Sequence, residues 1–278
     1  MEHLEFHWKA DDGVEFYGQG WLPGGAPKAV VCHVHGLGEH SGRYAHVAEA
    51  LNRAGYAFLT FDLRGHGKSG GPRGHAPSLE AIMRDVDHLL EEAAQRFPGR
   101  PRFLYGHSLG GILVLDYALM RKPAVAGVIA TSPGLHTAIE QQKAKVALSK
   151  VLGRLLPAMT LASGLNPNDL SCDPQVVEAY VNDSLVHDRL TLGLGSELLK
   201  GIRLALDRAS EFPLPLLLMH GTQDRIAFPS SSTEVAAAHR GDCTLKLWEG
   251  LYHETHNEPQ KQAVLQFMIE WLDKHLPV

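Results

Sequence analysis

A serine set between glycines carries the clearest chemistry in this chain. Gly106-His107-Ser108-Leu109-Gly110-Gly111 follows the apolar run Phe103-Leu104-Tyr105 and precedes an apolar helical pattern over residues 112–120. A strand that turns this sharply into a helix leaves no space for a Cβ beside its own backbone, which accounts for glycine at 106 and 110. The turn lifts the Ser108 hydroxyl off the sheet edge and offers the Leu109 amide to a developing oxyanion. Serine is a weak nucleophile and needs a histidine to take its proton, and the histidine needs an acid to orient it. Asp224, in His220-Gly221-Thr222-Gln223-Asp224-Arg225, leaves the apolar run over residues 214–219. His253, in Glu249-Gly250-Leu251-Tyr252-His253-Glu254, follows the run over residues 245–248. Seventeen histidines are present, so position and not residue type selects His253 over His256 as the base. A second oxyanion donor is expected from the Leu37 amide in His35-Gly36-Leu37-Gly38-Glu39-His40, each such donor contributing about 3 kcal/mol to the transition state. The chemistry these residues describe is cofactor-free acyl transfer through Ser108.

Positioning them requires strands that end in loops on one edge. Alternating segments over residues 4–8 and 14–22 flank Asp11-Asp12-Gly13 and predict an opening hairpin. Apolar runs at 29–35, 57–61, 103–106, 125–131, 214–221 and 245–248 read as buried strands. Helical spacing appears between them at 44–54, from the Ser78 cap to Phe97, and at 259–275. The alternation predicts a doubly wound α/β architecture, a mostly parallel sheet with helices on both faces and chemistry at the strand C-termini. Residues 134–207 break the alternation with helical or irregular patterns and no strand, so we expect one domain over 1–278, its core at 1–133 and 208–278 and a helical cap at 134–207. Within that cap, residues 139–159 carry an apolar stripe of Ala147, Leu148, Val151, Leu152 and Leu155 beside Lys143, Lys150 and Arg154. Such a stripe packs on the core or meets a lipid surface.

Composition narrows the classes. With 44% hydrophobic and 21% charged residues the chain is ordinary for a water-soluble globular protein. A net charge of −5 without clustered Lys and Arg argues against nucleic acid as a partner. Cys32, Cys172 and Cys243 lack the spacing of a disulfide framework or a zinc ribbon. The start, Met1-Glu2-His3-Leu4-Glu5, has no basic segment followed by an apolar one, and the expected location is cytoplasmic, with peripheral membrane contact through the cap. His33 and His35 alternate on one strand, and His253-Glu254-Thr255-His256 superficially suggests zinc. Zinc proteases space their helical histidines by four residues, not three, so no metal is expected.

The motifs resemble those of the serine α/β-hydrolases, specifically the monoacylglycerol lipase and lysophospholipase family. The resemblance rests on His35-Gly36-Leu37-Gly38-Glu39-His40-Ser41-Gly42-Arg43-Tyr44, on Asp62-Leu63-Arg64-Gly65-His66-Gly67-Lys68-Ser69, on the serine turn and on His253-Glu254-Thr255-His256-Asn257-Glu258. Tyr180-Val181-Asn182-Asp183-Ser184-Leu185 is similar to the family's Asn-Asp-Pro-Leu segment, with Ser184 in place of the proline. The resemblance implies hydrolysis of a glycerol monoester, an acyl tunnel under the cap and a small polar pocket for glycerol. At positions matching that pocket stand Glu39, Arg43, Tyr180 and His256, for which mutual pairing, such as Glu39 with Arg43, is the competing role. The segment from Asp62 to Ser69 is expected to support the site without reacting. A lysophospholipase or a short- to medium-chain carboxylesterase would use the same machinery, and a binding protein on a hydrolase scaffold is the non-enzymatic alternative.

Overall fold

The chain opens with β1 (Glu2–Lys9) and β2 (Glu15–Leu22), paired antiparallel with Lys9 opposite Glu15. Gly13 takes φ +86° in the turn between them, a conformation that residues with a Cβ avoid. The structure is a computed structural model and describes residues 2–137 and 155–277. Next come β3 (Val30–Val34), β4 (Ala57–Phe61), β5 (Arg102–His107) and β6 (Gly127–Thr131), all but the first residue of β5 buried. Their continuous apolar character follows from having both faces covered. After a long inserted segment, which holds the short pair β7 (Thr160–Ala162) and β8 (Arg189–Thr191), the sheet is completed by β9 (Leu216–Gly221) and β10 (Cys243–Trp248). The eight strands lie in the order β1-β2-β4-β3-β5-β6-β9-β10, and β2 runs against the rest.

Because side chains alternate along a strand, the sheet feeds two apolar layers. On one face Val31, Phe58, Phe103 and Leu217 pack with α1 (Ala45–Arg53) and the last helix. On the other, Cys32, Leu59, Leu104 and Leu218 pack with α2 (Leu79–Arg96) and α3 (Leu109–Arg121). The i, i+3, i+4 spacing of α2 puts Ile82, Met83, Val86, Leu89, Leu90 and Ala93 on its buried side, and the Ser78 hydroxyl caps its start by accepting from the Ala81 amide at 3.1 Å. The inserted segment adds α4 (Pro174–Asn182) and α5 (Leu192–Asp207), and α5 lies against α3. α6 (Ser230–Ala238) and α7 (Lys261–Lys274) follow.

Two features differ from the sequence reading, and a third expectation falls mostly on residues that are not described. The segment between β6 and β9 does contain strands, but β7 and β8 have three residues each and β7 is exposed throughout, too short for periodicity to reveal. α6 buries only Ser231, Ser232 and Val235, so it carries no apolar stripe to find. The stripe residues Ala147, Leu148, Val151 and Leu152, with Lys143, Lys150 and Arg154, lie outside the described residues. Of the same stretch, Leu155 and Leu156 are exposed, and Thr160 already begins β7. Among the described residues no helix is long and apolar enough to cross a membrane.

Candidate active site

The loops that follow β3, β5, β9 and β10 leave parallel neighbours of one sheet, so the C-terminal strand ends bring them together. After β5 the backbone of Ser108 is forced to φ 53° and ψ −113° before α3 begins. A non-glycine residue persists there only when its surroundings hold it. The Ser108 amide donates to Thr131 O at 2.9 Å, and its carbonyl accepts from the Ile112 and Gly134 amides, each at 3.2 Å. The glycines are sterically obligatory: a Cβ on Gly106 would come within 2.1 Å of Gly110 O, and one on Gly110 within 2.0 Å of Val34 O. As the first residue of α3, Leu109 has an N–H without an intrahelical acceptor.

Ser108 Oγ lies 2.9 Å from His253 Nε2, and His253 Nδ1 lies 2.7 Å from Asp224 Oδ2. Asp224 is buried, and its other oxygen accepts from the Ile226 and Ala227 amides at 2.8 and 2.9 Å. Burial works against its charge, but His253 and the hydrogen bonds from His220 and His253 outweigh that cost and hold the carboxyl well below the usual range. Burial of His253 likewise opposes protonation, while the Asp224 charge and hydrogen bond override it and raise the imidazole above its ordinary 6.5. A second histidine meets the same carboxylate: His220 Nε2 is 3.1 Å from Asp224 Oδ2. Sequence reasoning passed over His220, although its position four residues before Asp224, at the end of a strand, was the available signal.

The loop after β3 is fastened from two sides. Glu39 Oε1 accepts from the Gly36 amide at 2.6 Å and from the Tyr44 hydroxyl at 2.7 Å. Its other oxygen takes Arg43 Nη1 at 2.6 Å, and Arg43 also grips Glu254 through two bonds of 2.6 and 2.8 Å. Burial of Glu39 resists ionisation, yet the adjacent Arg43 guanidinium keeps its carboxyl well below the usual range. From the inserted segment, the His187 amide donates to Gly38 O at 2.9 Å, and Asp183 Oδ2 is 2.8 Å from His40 Nε2. Asp62 serves the frame, accepting from the Ser41 amide at 2.8 Å and the Lys68 amide at 2.7 Å.

A cavity of about 830 Å³ opens over Ser108 and His253. Leu37, Leu109, Glu39 and Tyr180 line it, as does Glu254. Apolar wall comes from Leu161, Leu165 and Leu190 of the inserted segment and from Leu198, Leu199 and Ile202 of α5. Two residues expected at the polar pocket are not among its lining. Arg43 is drawn between Glu39 and Glu254, with its guanidinium 4.8 Å from the centre of the Tyr180 ring, so the pairing role is the one this geometry realises. His256 is fully buried behind the site, its ring 4.9 Å from that of Tyr44 and 4.8 Å from that of His107. Burial pushes its imidazole far below the ordinary value, which suits a neutral ring packed among aromatics. Glu254 was missed because its partner Arg43 lies 211 residues away.

A serine, a histidine and an aspartate joined in this way at the C-terminal ends of a mostly parallel sheet define a serine α/β-hydrolase. The family described as serine aminopeptidase, S33, matches residues 25–260. Over 266 residues the chain is 36% identical to a monoacylglycerol lipase of Mycolicibacterium smegmatis, covering 95% of both proteins. It is 40% identical over 259 residues to an abhydrolase domain-containing protein of Dictyostelium discoideum, covering 92% of this chain but 27% of that longer protein. The crystal structure of Paleococcus ferrophilus monoacylglycerol lipase superposes with a TM-score of 0.86 at 39% identity, covering 94% of this chain and 99% of that one. The chain belongs to the serine aminopeptidase S33 family of α/β-hydrolases and, within it, to the monoacylglycerol lipase and lysophospholipase group that its motifs resemble.

Proposed function

We propose that the protein is a serine ester hydrolase that releases a fatty acid from a monoacylglycerol through an acyl-enzyme on Ser108. The observation that carries this reading is the Ser108–His253–Asp224 chain opening onto a cavity walled by Leu198, Leu199 and Ile202. In the first half-reaction Ser108 Oγ attacks the ester carbonyl as His253 Nε2 takes its proton, and Asp224 stabilises the resulting imidazolium. The amides of Leu37 and Leu109 donate to the oxyanion. Collapse breaks the ester C–O bond, and the glycerol oxygen leaves with the proton from His253. Water then repeats the sequence on the acyl-enzyme, which returns Ser108 and frees the fatty acid.

The relatives named as monoacylglycerol lipases support the glycerol monoester as substrate. Glu39, Tyr180 and Glu254 supply the polar wall for the glycerol hydroxyls, with Arg43 and His256 acting behind it. Residues 134–207 act as a cap that roofs the acyl chain. The exposed Leu155, Leu156 and Met159 are where that cap would meet a lipid aggregate. Ser108→Ala is expected to reduce monoacylglycerol hydrolysis by about 10⁴-fold or more and to abolish labelling by a fluorophosphonate. Variant activity near wild type would refute the mechanism. Equal kcat/KM values for a monoacylglycerol, a lysophospholipid and a triacylglycerol would remove the substrate assignment and leave the esterase.

A further inference from the structure

The hydrogen bonding around Asp224 does more than orient one histidine. Its carboxylate receives hydrogens from Ile226 N, Ala227 N, His253 Nδ1 and His220 Nε2, and the two imidazoles share one oxygen, Oδ2. His220 is fully buried at the end of β9. Its Nε2 also lies 2.8 Å from Ala227 O, and its Nδ1 lies 2.8 Å from Ser232 Oγ on α6. A backbone carbonyl can only accept, so Nε2 bears a hydrogen, and that hydrogen is divided between Ala227 O and Asp224 Oδ2. The ring is thus wedged between β9, the Asp224 loop and α6 with its donor edge against the oxygen that His253 uses.

We propose that His220 is a positioning residue for the reaction, acting through Asp224. Its Nε2–H fixes the plane of the carboxylate and withdraws charge from Oδ2, and so limits how strongly Asp224 favours the protonated form of His253. Each donor to a carboxylate spreads the negative charge and weakens its attraction for the next cation. With His220 in place, His253 is oriented by Asp224 yet held less basic than an unshared carboxylate would make it. The inference rests on the assignment of Ser108, His253 and Asp224 as the reacting triad. It adds a fourth member that tunes the base without touching substrate.

The test is the pH dependence of kcat/KM for a soluble monoacylglycerol in wild type, His220→Gln and His220→Leu. The Gln side chain presents an N–H near the position of Nε2, whereas Leu fills similar volume without a donor. His220→Leu is expected to move the acid limb upward by about half a pH unit or more and to lower the plateau by about tenfold. His220→Gln is expected to keep the wild-type midpoint and most of the rate. In proton NMR, the low-field signal of the His253 Nδ1 hydrogen is expected to move further downfield in His220→Leu as the bond to Asp224 strengthens. Unchanged midpoint and signal in His220→Leu, with only lower stability, would overturn the proposal. If that variant does not fold, Ser232→Ala frees the ring from its α6 side, and the same limb is expected to move in the same direction by less. No movement there would count equally against it. Fluorophosphonate labelling of the wild type at Ser108 separates the two levels. Absence of labelling defeats the triad assignment, whereas labelling with an unmoved acid limb defeats the role of His220 alone.

Discussion

His253 works as a base only when neutral, and its surroundings raise its pKa above the ordinary 6.5. Activity is therefore expected to rise with pH through a midpoint above that value, since protonated His253 cannot accept the Ser108 hydrogen. The kcat/KM profile checks this, and a midpoint below 6 would mean that the Asp224 charge does not reach the imidazole. The neighbouring His107 behaves in the opposite way. It is buried without a carboxylate partner, burial holds its pKa down at about 4, and its Nδ1 lies 3.1 Å from Thr131 Oγ1. It stays neutral through the working range and leaves the acid limb to His253. Two histidines whose rings lie 4.9 Å apart are separated in function by which of them faces a carboxylate.

At the scale of elements, α3 joins the serine turn to the inserted segment. Its Asp116 is fully buried, and neither carboxylate oxygen has a hydrogen-bond partner among the described residues. It is wedged against Gly201 of α5, where a Cβ would come within 2.2 Å of Oδ2. Desolvation alone pushes its carboxyl up to about 8, with no charged neighbour contributing. The folded protein therefore keeps a proton that the unfolded chain, with an ordinary value of 3.8, releases. The sign follows: this contribution to stability is intact below the unfolded value and falls as pH rises, at up to about 1.4 kcal/mol per pH unit, until it levels off above the folded value. Urea denaturation of wild type and Asp116→Asn at pH 5 and pH 8 measures it. We expect the wild type to lose more stability than the variant between those pH values, and equal losses would show that Asp116 ionises freely.

Across the whole molecule, the Arg43 cluster ties the loop after β3 to the loop after β10, elements at opposite ends of the chain. Glu39, Arg43 and Glu254 are each at least nine-tenths buried in their side chains, and Asn257 adds a bond of 2.7 Å to Glu254. Removing one partner from a buried ionic cluster strands the others, at a cost of about 3–5 kcal/mol. Arg43→Met is expected to be destabilised by that amount in urea and to lose hydrolytic rate, because the Gly36 amide loses its fixed anchor at Glu39. A loss below 1 kcal/mol would show that solvent already screens the cluster.

Residues near one another in the chain declared much of this protein in advance. The glycines around Ser108, the apolar strand runs and the turn at Gly13 are local demands of sterics and burial, so residue order alone identified the strands of the main sheet, the serine turn and the loops bearing Asp224 and His253, but not the three-residue strands β7 and β8. The polar surroundings were not legible in the same way. Whether Arg43 faces a substrate or a carboxylate depends on Glu254, 211 residues distant, and whether His256 lines a cavity or packs on Tyr44 depends on how α1 and the loop after β10 meet. Sharing of Asp224 between His253 and His220 likewise required coordinates, because a carboxylate accepts from whichever donors the fold delivers. Local order determined which residues the sheet presents. The tertiary structure decided their partners, since hydrogen bonds and charges act through distances that sequence spacing does not set.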